Sequence, residues 1–302
     1  MSSGKFKRIN MGFNYKMAED IVDTFNQDDI NDRIDSIVSI NAISVNELIK
    51  MIFTHNESCI KPQKFTLLHG FIEHYIYYYL LHKRWFLLDE LCDDMGSVNS
   101  VIEELDGMEK ALKEHSGKSS DYSNLRSSIL FYDTHYDDLA EKFDDDKIYD
   151  NFKSQVRETF DYMFSCFERI ESDLVESIFY LLYSNKGFLF QFNKYLSNYV
   201  NTENLPKSFF DENSHILRGD YLPQWLRRAV FYRDNGRCQH CGKDLSGLLN
   251  ITDDRGVQYD HIIPLEKGGT NDATNFQLLC EDCNLRKSGN IVLPQYFYQM
   301  YW

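Results

Sequence analysis

Four cysteines fall into two Cys-x-x-Cys pairs, Cys238-Gln239-His240-Cys241 and Cys280-Glu281-Asp282-Cys283, separated by 38 residues. A knuckle of this kind turns the chain so that both thiolates point at one ion. Two knuckles complete the tetrahedral four-sulfur site that Zn²⁺ favours. Gly242 follows the first pair and supplies the turn. A site with four protein ligands has no open position, so the expected zinc is structural and stabilises a segment too short for a large core. Redox chemistry is the other use of such pairs, but no thioredoxin-like βαβ frame surrounds either one.

A second constellation lies between and just after the knuckles. It runs Tyr259-Asp260-His261-Ile262-Ile263-Pro264-Leu265-Glu266-Lys267-Gly268-Gly269-Thr270-Asn271, then Asn275-Phe276-Gln277-Leu278-Leu279-Cys280, and ends Cys283-Asn284-Leu285-Arg286-Lys287. Gln258 to His261 is expected as one strand of a hairpin, the Gly268-Gly269 stretch as its long loop, and Phe276 to Leu279 as the return strand. Glu281 to Ser288 is expected as a helix packed across that hairpin. Neighbouring residues on a strand face opposite sides, so Asp260 and His261 meet different partners. One is then free to hold a metal while the other meets water. Arg227, Arg228, Arg233 and Arg237 before the first knuckle, with Arg286 and Lys287 on the last helix, are expected to grip phosphates through charge-assisted bonds.

The pattern DHIIPLxxGGTN, NxQLLCxxCNxxK resembles HNH endonucleases of the ββα-metal fold. The run Arg227-Arg228-Ala229-Val230-Phe231-Tyr232-Arg233-Asp234-Asn235-Gly236-Arg237-Cys238 is similar to the lead-in helix of the zinc-bearing branch. The likeness covers residues 222–289 or so and does not extend to residues 1–200. It implies that His261 is the general base for a water, and that Asp260 and Asn284 hold one hydrated Mg²⁺, with Mn²⁺ or another divalent ion as the alternative. It also implies that Asn275 braces the loop and orients His261. The implied reaction is phosphodiester hydrolysis, with double-stranded DNA as the expected partner and 5′-phosphate and 3′-hydroxyl ends as products. One letter departs from the common pattern: Asn284 stands where many members have His, an H-N-N form that still offers an oxygen ligand.

The elements that must carry this constellation come after a long helical stretch. From about Tyr15 to Val200 apolar residues recur at three- and four-residue spacing, as in Phe160, Phe164, Phe167 and Ile170. Pro62 suits the first turn of a helix running to about Leu91. Gly96-Ser97, Ser116-Gly117 and Asp144-Asp145-Asp146 are expected junctions. Asn201 to Pro223 loses periodicity and reads as a linker. The expected protein is therefore α+β, with an acidic helical domain over 1–218 and a small ββα-metal domain over 219–302.

Charge divides along the same line. Residues 221–302 hold nine Lys/Arg and nine Asp/Glu, so residues 1–220 carry the whole net charge of −15. An acidic segment repels phosphate and is a poor DNA-gripping surface, so the helical part is expected to regulate, oligomerise or dock other proteins. Fusions of an HNH domain to an unrelated module occur in bacterial anti-phage systems, which makes host defence an expectation by analogy. The Phe71–Leu88 stretch is interrupted by charged residues, so no membrane span is expected, and the start shows no secretory signal. With seven cysteines and no such signal, a reducing cytoplasm is the expected setting. Cys59, Cys92 and Cys166 read as buried free thiols. Tyr75 to Leu81, apolar around the whole helix, reads as core or a subunit interface. Gly117-Lys118-Ser119 lacks the preceding glycine of a phosphate loop, and His69, Glu73 and His74 miss zinc-protease spacing. Two other functions fit the same residues: a zinc-dependent nucleic-acid-binding or scaffold protein that does not cut, and an RNase or toxin.

Overall fold

The computed structural model describes residues 12–26, 45–55, 59–85, 87–88, 98–116, 122–203, 205–219, 221–247 and 256–293. Cys92, the Gly96-Ser97 junction and Gly117-Lys118-Ser119 lie outside them. The helices are α1 (Gly12–Asn26), α2 (Val45–His55), α3 (Leu67–Trp85), α4 (Val98–Ser116), α5 (Tyr122–Thr134), α6 (Tyr136–Ala140), α7 (Asp145–Glu168), α8 (Glu171–Ser184), α9 (Lys186–Thr202) and α10 (Gln224–Arg233). Strands β1 (Val257–His261) and β2 (Phe276–Cys280) follow, and α11 (Glu281–Lys287) closes the series. The described residues are mostly helical with one small antiparallel sheet, as the sequence reading expects. No helix among the described residues is long and apolar enough to cross a membrane.

Chain contacts divide the protein into two compact units. The first holds residues 1–19, 35–42 and 73–178, and the second holds 20–34, 43–72 and 179–302. In the first unit α4, α5 and α7 pack on one another. Their shared core includes Val101, Leu105, Ile129, Phe152, Val156 and Phe160, all buried. The expected Asp144–Asp146 junction is the start of α7, where the Asp144 carboxylate accepts the Lys147 amide at 2.9 Å. The Tyr75–Leu81 stretch divides between roles: Tyr75, Ile76 and Leu80 are buried while Tyr77 is exposed. Cys59 is buried, whereas Cys166 is only half so.

The second unit surrounds its sheet with helices. An aromatic cluster centres on Phe25, whose ring meets those of Phe71, Phe188, Phe192 and Tyr195 edge-on at 5.4–5.8 Å. Strand β1 pairs with β2 so that Asp260 faces Gln277 and His261 faces Phe276. Helix α11 packs across both strands, α10 packs on β2, and α9 packs on the 3₁₀ turn Ala273–Asn275. Leu226 and Val230 of α10 share a core with Ala273, Phe276 and Leu278.

Two features differ from the sequence reading. Helix α3 begins at Leu67 rather than at Pro62, because the buried Asp272 carboxylate accepts the Leu67 amide at 2.8 Å and caps the helix from 205 residues away. The 201–223 stretch is also fixed in place. It contains a 3₁₀ turn at Lys207–Phe209 and an antiparallel bridge between Phe210 and Ile216. The Leu217 amide donates to the Phe209 carbonyl at 2.9 Å, which sets the backbone just before Arg218.

Candidate active site

The long loop of the hairpin is held by glycines and asparagines. Gly268 has φ +83°, and a Cβ there would lie 2.8 Å from the Ser197 carbonyl oxygen. A Cβ on Gly269 would overlap the Ile263 carbonyl, so both positions need glycine. Asn275, fully buried, uses its whole amide on this loop. Its Nδ2 donates to the carbonyls of Ile263 at 2.9 Å and Thr270 at 2.8 Å, and its Oδ1 accepts the Ile263 amide at 2.8 Å. Asp272, with no exposed surface, accepts from the Thr274 amide and hydroxyl as well as from Leu67. The loop is thereby welded to the start of α3.

His261 ends β1 and stacks obliquely against Phe276, with ring centroids 4.5 Å apart. Its Nε2 lies 3.2 Å from Asn271 Oδ1. That Asn271 amide is oriented by its Nδ2, which donates to the Leu217 carbonyl at 2.6 Å, so Oδ1 faces the imidazole. An amide oxygen only accepts, so Nε2 carries the hydrogen and Nδ1 keeps its lone pair. Burial lowers His261 to about 4, against the upward pull of Asp260 and of the Asn271 bond, while Arg218 and Lys287 push it further down. The imidazole is neutral at pH 7.

Asp260 and Asn284 open on the same depression as His261, about 460 Å³ in volume and also lined by Arg218, Tyr221 and Asn271. Asp260 Oδ2 is 2.8 Å from Lys287 Nζ, and that ammonium also donates to the His261 carbonyl at 2.8 Å. Lys287 is a strut between α11 and β1. With a side chain only 1% exposed, it has no surface to offer a phosphate. Arg233 is likewise internal. It pairs with Asp234 at 2.9 Å, donates to the Phe276 carbonyl at 2.5 Å, and stacks over Tyr183. Asp234 in turn accepts the Leu278 amide, so this pair stitches α10 to β2. Both residues depart from the expected phosphate-gripping set, because each charge is consumed by a fold contact.

The remaining expected cations are nearer the surface. Arg227 and Arg228 are exposed, the former 5.9 Å over the Tyr259 ring. Half-buried Arg237 donates to the Gly242 carbonyl, and exposed Arg286 contacts Cys283 Sγ and the Asp282 carbonyl. Sequence reasoning passed over two lining residues. Asn271 stood inside the quoted motif with no role, and Arg218 stood in a stretch without periodicity.

Cys238, Cys241, Cys280 and Cys283 bring their sulfurs within 4.8 Å of one another. The Cys241–Cys280 pair is 3.7 Å apart, close to the roughly 3.8 Å that a tetrahedral ion with 2.3 Å sulfur bonds requires. Burial and the neighbouring sulfurs push Cys283 up to about 12. Cys238 is pushed up by burial too, but the amides of Cys280, Cys241 and His240 outweigh this and hold it low. Four thiols packed so closely cannot all ionise unaided, and a divalent cation removes that conflict. The donor set and spacing suit Zn²⁺.

A two-stranded hairpin crossed by a helix, pinned by a four-sulfur cluster, is the class of domain that this geometry defines. Residues 238–289 match the family model for HNH endonuclease, so this segment of the chain belongs to that family. Membership supports a nuclease-type function with nucleic acid as substrate. No curated protein and no solved structure matches the chain.

Proposed function

We propose that the C-terminal domain is a metal-dependent endonuclease that hydrolyses phosphodiester bonds in double-stranded DNA. The observation that supports this reading most is the convergence of a neutral, amide-anchored His261 with Asp260 and Asn284 on one open depression. Nδ1 of His261 accepts a proton from a water whose oxygen attacks phosphorus. The P–O3′ bond breaks, the 3′ oxygen leaves as hydroxyl after taking a proton from solvent, and the 5′ end keeps the phosphate. Asp260 and Asn284 present two oxygen donors suited to a hydrated Mg²⁺, which when bound supplies charge neutralisation at the phosphate and the departing oxygen. Lys287 fixes one oxygen of Asp260 and so sets where the other points. Asn275 braces the loop through its bonds to Ile263 and Thr270. The zinc is structural. The acidic residues 1–218 serve regulation, self-association or docking to other proteins, and host defence is the setting that this fusion suggests.

The test is conversion of supercoiled plasmid to nicked or linear product. With Mg²⁺ the wild-type protein cuts, while EDTA or His261→Ala lowers the rate by about 10²-fold or more. Intact plasmid with every divalent ion tried would move the domain to the binding or scaffold reading. Selective cutting of RNA would move it to the RNase reading.

A further inference from the structure

We infer that Arg218, from the segment ahead of the HNH motif, contacts the non-bridging oxygens of the scissile phosphate and stabilises charge there as the P–O3′ bond breaks. The inference rests on the nuclease reading above and adds a substrate-contacting residue to it.

Arg218 is the only Lys or Arg among the described residues lining the depression that also holds His261, Asp260 and Asn284. The other described basic residues near the domain are either occupied or placed elsewhere. Lys287 is spent on Asp260 and the His261 carbonyl, and Arg233 on Asp234. Arg286 is held by Cys283 and the Asp282 carbonyl, while Arg227 lies over Tyr259. None of Arg227, Arg228, Arg237 or Arg286 lines the depression. The charge of Asp260 is already balanced by Lys287, so among the described residues lining the site the Arg218 guanidinium is the uncompensated charge. Among the described residues the depression holds one free cation beside its neutral imidazole, in a protein of net charge −15, and such a spot is suited to an anion.

The backbone carrying this cation is indexed to the base. Asn271 donates from Nδ2 to the carbonyl of Leu217, the residue before Arg218, and meets His261 Nε2 with its Oδ1. A single buried amide therefore sets both the imidazole and the root of the arginine. The Leu217 amide bond to Phe209 adds a second tether. The side chain beyond is exposed, so its planar fork can close on two phosphate oxygens without losing a bond to any described residue. Positive charge held where negative charge develops is the arrangement that lowers a hydrolytic barrier most.

The experiment compares single-turnover nicking and DNA affinity for wild type, Arg218→Ala, Arg218→Lys, His261→Ala and Lys207→Ala. Lys207 is exposed on the same segment and controls for the loss of one positive charge. Arg218→Ala is expected to lower the cleavage rate constant at saturating protein by about 10²-fold, the loss seen when one such donor is removed. Its DNA affinity in EDTA is expected to fall less than about tenfold, with the slope of log affinity against log salt reduced by about one. Arg218→Lys regains part of the rate, Lys207→Ala matches wild type, and the Arg218 and Lys207 variants unfold at the wild-type midpoint. An unchanged rate constant for Arg218→Ala in a wild-type protein that cuts would overturn the inference, whatever happens to affinity. A wild type that does not cut, with His261→Ala indistinguishable from it, would instead overturn the nuclease reading.

Discussion

The two compact units solve the problem of burial in opposite ways. In the first, α4, α5 and α7 close an apolar core, and charges pair at the rim. Arg126 to Asp106 and Lys83 to Glu104 are ion pairs with substantial solvent contact. In the second, charge and amide groups lie inside. Asp272, Asp234, Asn271, Asn275, His261 and Lys287 are all buried and all bonded. A buried polar group is costly unless its partners are fixed, so a cluster of satisfied ones specifies one geometry closely. The unit with the buried polar network is the one that carries an HNH domain.

Removing the metal would sharpen the contrast most. Zinc in a four-thiolate site contributes on the order of 10 kcal/mol to the fold that holds it. Chelation, or Cys280→Ser, is expected to abolish amide-exchange protection in β1 and β2 while α7 keeps its own. Retained protection of β2 after chelation, with zinc shown to be gone by metal analysis, would remove the four-cysteine assignment.

Matched charge deletions in the two units come next. Lys287→Met removes the partner of Asp260 and leaves a half-buried carboxylate unpaired, at a cost on the order of 3 kcal/mol. Arg126→Ala breaks an exposed pair and should cost under about 1 kcal/mol. Urea midpoints measure both. Equal losses would mean that the buried network has no special weight.

How much of this was legible in the sequence follows the same division. The knuckles, the hairpin and the crossing helix come from local spacing, and each appears where spacing put it. Asp260, His261 and Asn284, all within the motif, open on one depression. What escaped was set by distant partners. The start of α3 depends on Asp272, Asn271 binds Leu217 54 residues away, and Arg233 donates to Phe276 43 residues on. Periodicity reports which face of an element is apolar. It carries no information about which buried acceptor will claim a given arginine or lysine, so Arg233 and Lys287 read as surface cations. Arg218 was obscured by its neighbours Gly219 and Asp220, which make the segment look like a tether.

Acidification has a smaller effect than loss of the metal or of Lys287, and it tests the polar unit at a second point, remote in sequence from the HNH motif. His69 stacks between Phe65 and Phe179, with centroids 5.2 and 3.7 Å away, and its Nδ1 accepts from the Thr66 amide at 3.0 Å. Burial lowers this imidazole from 6.5 to about 4. The folded protein therefore stays neutral here in a range where the unfolded chain binds a proton. Stability rises with pH wherever the unfolded state holds more protons, so the contribution is present above about 6.5 and is lost as pH falls toward 4. Between pH 7 and pH 5 this one group should remove about 2 kcal/mol. His69→Asn retains an acceptor for the Thr66 amide but does not titrate, so its urea midpoint should be the less pH-dependent of the two. Exchange should quicken first at the start of α3, where Thr66 and the Leu67–Asp272 bond lie, and later in α7. If His69→Asn leaves the pH slope untouched, the slope comes from other groups, and the polar unit's sensitivity to acid owes nothing to this buried ring.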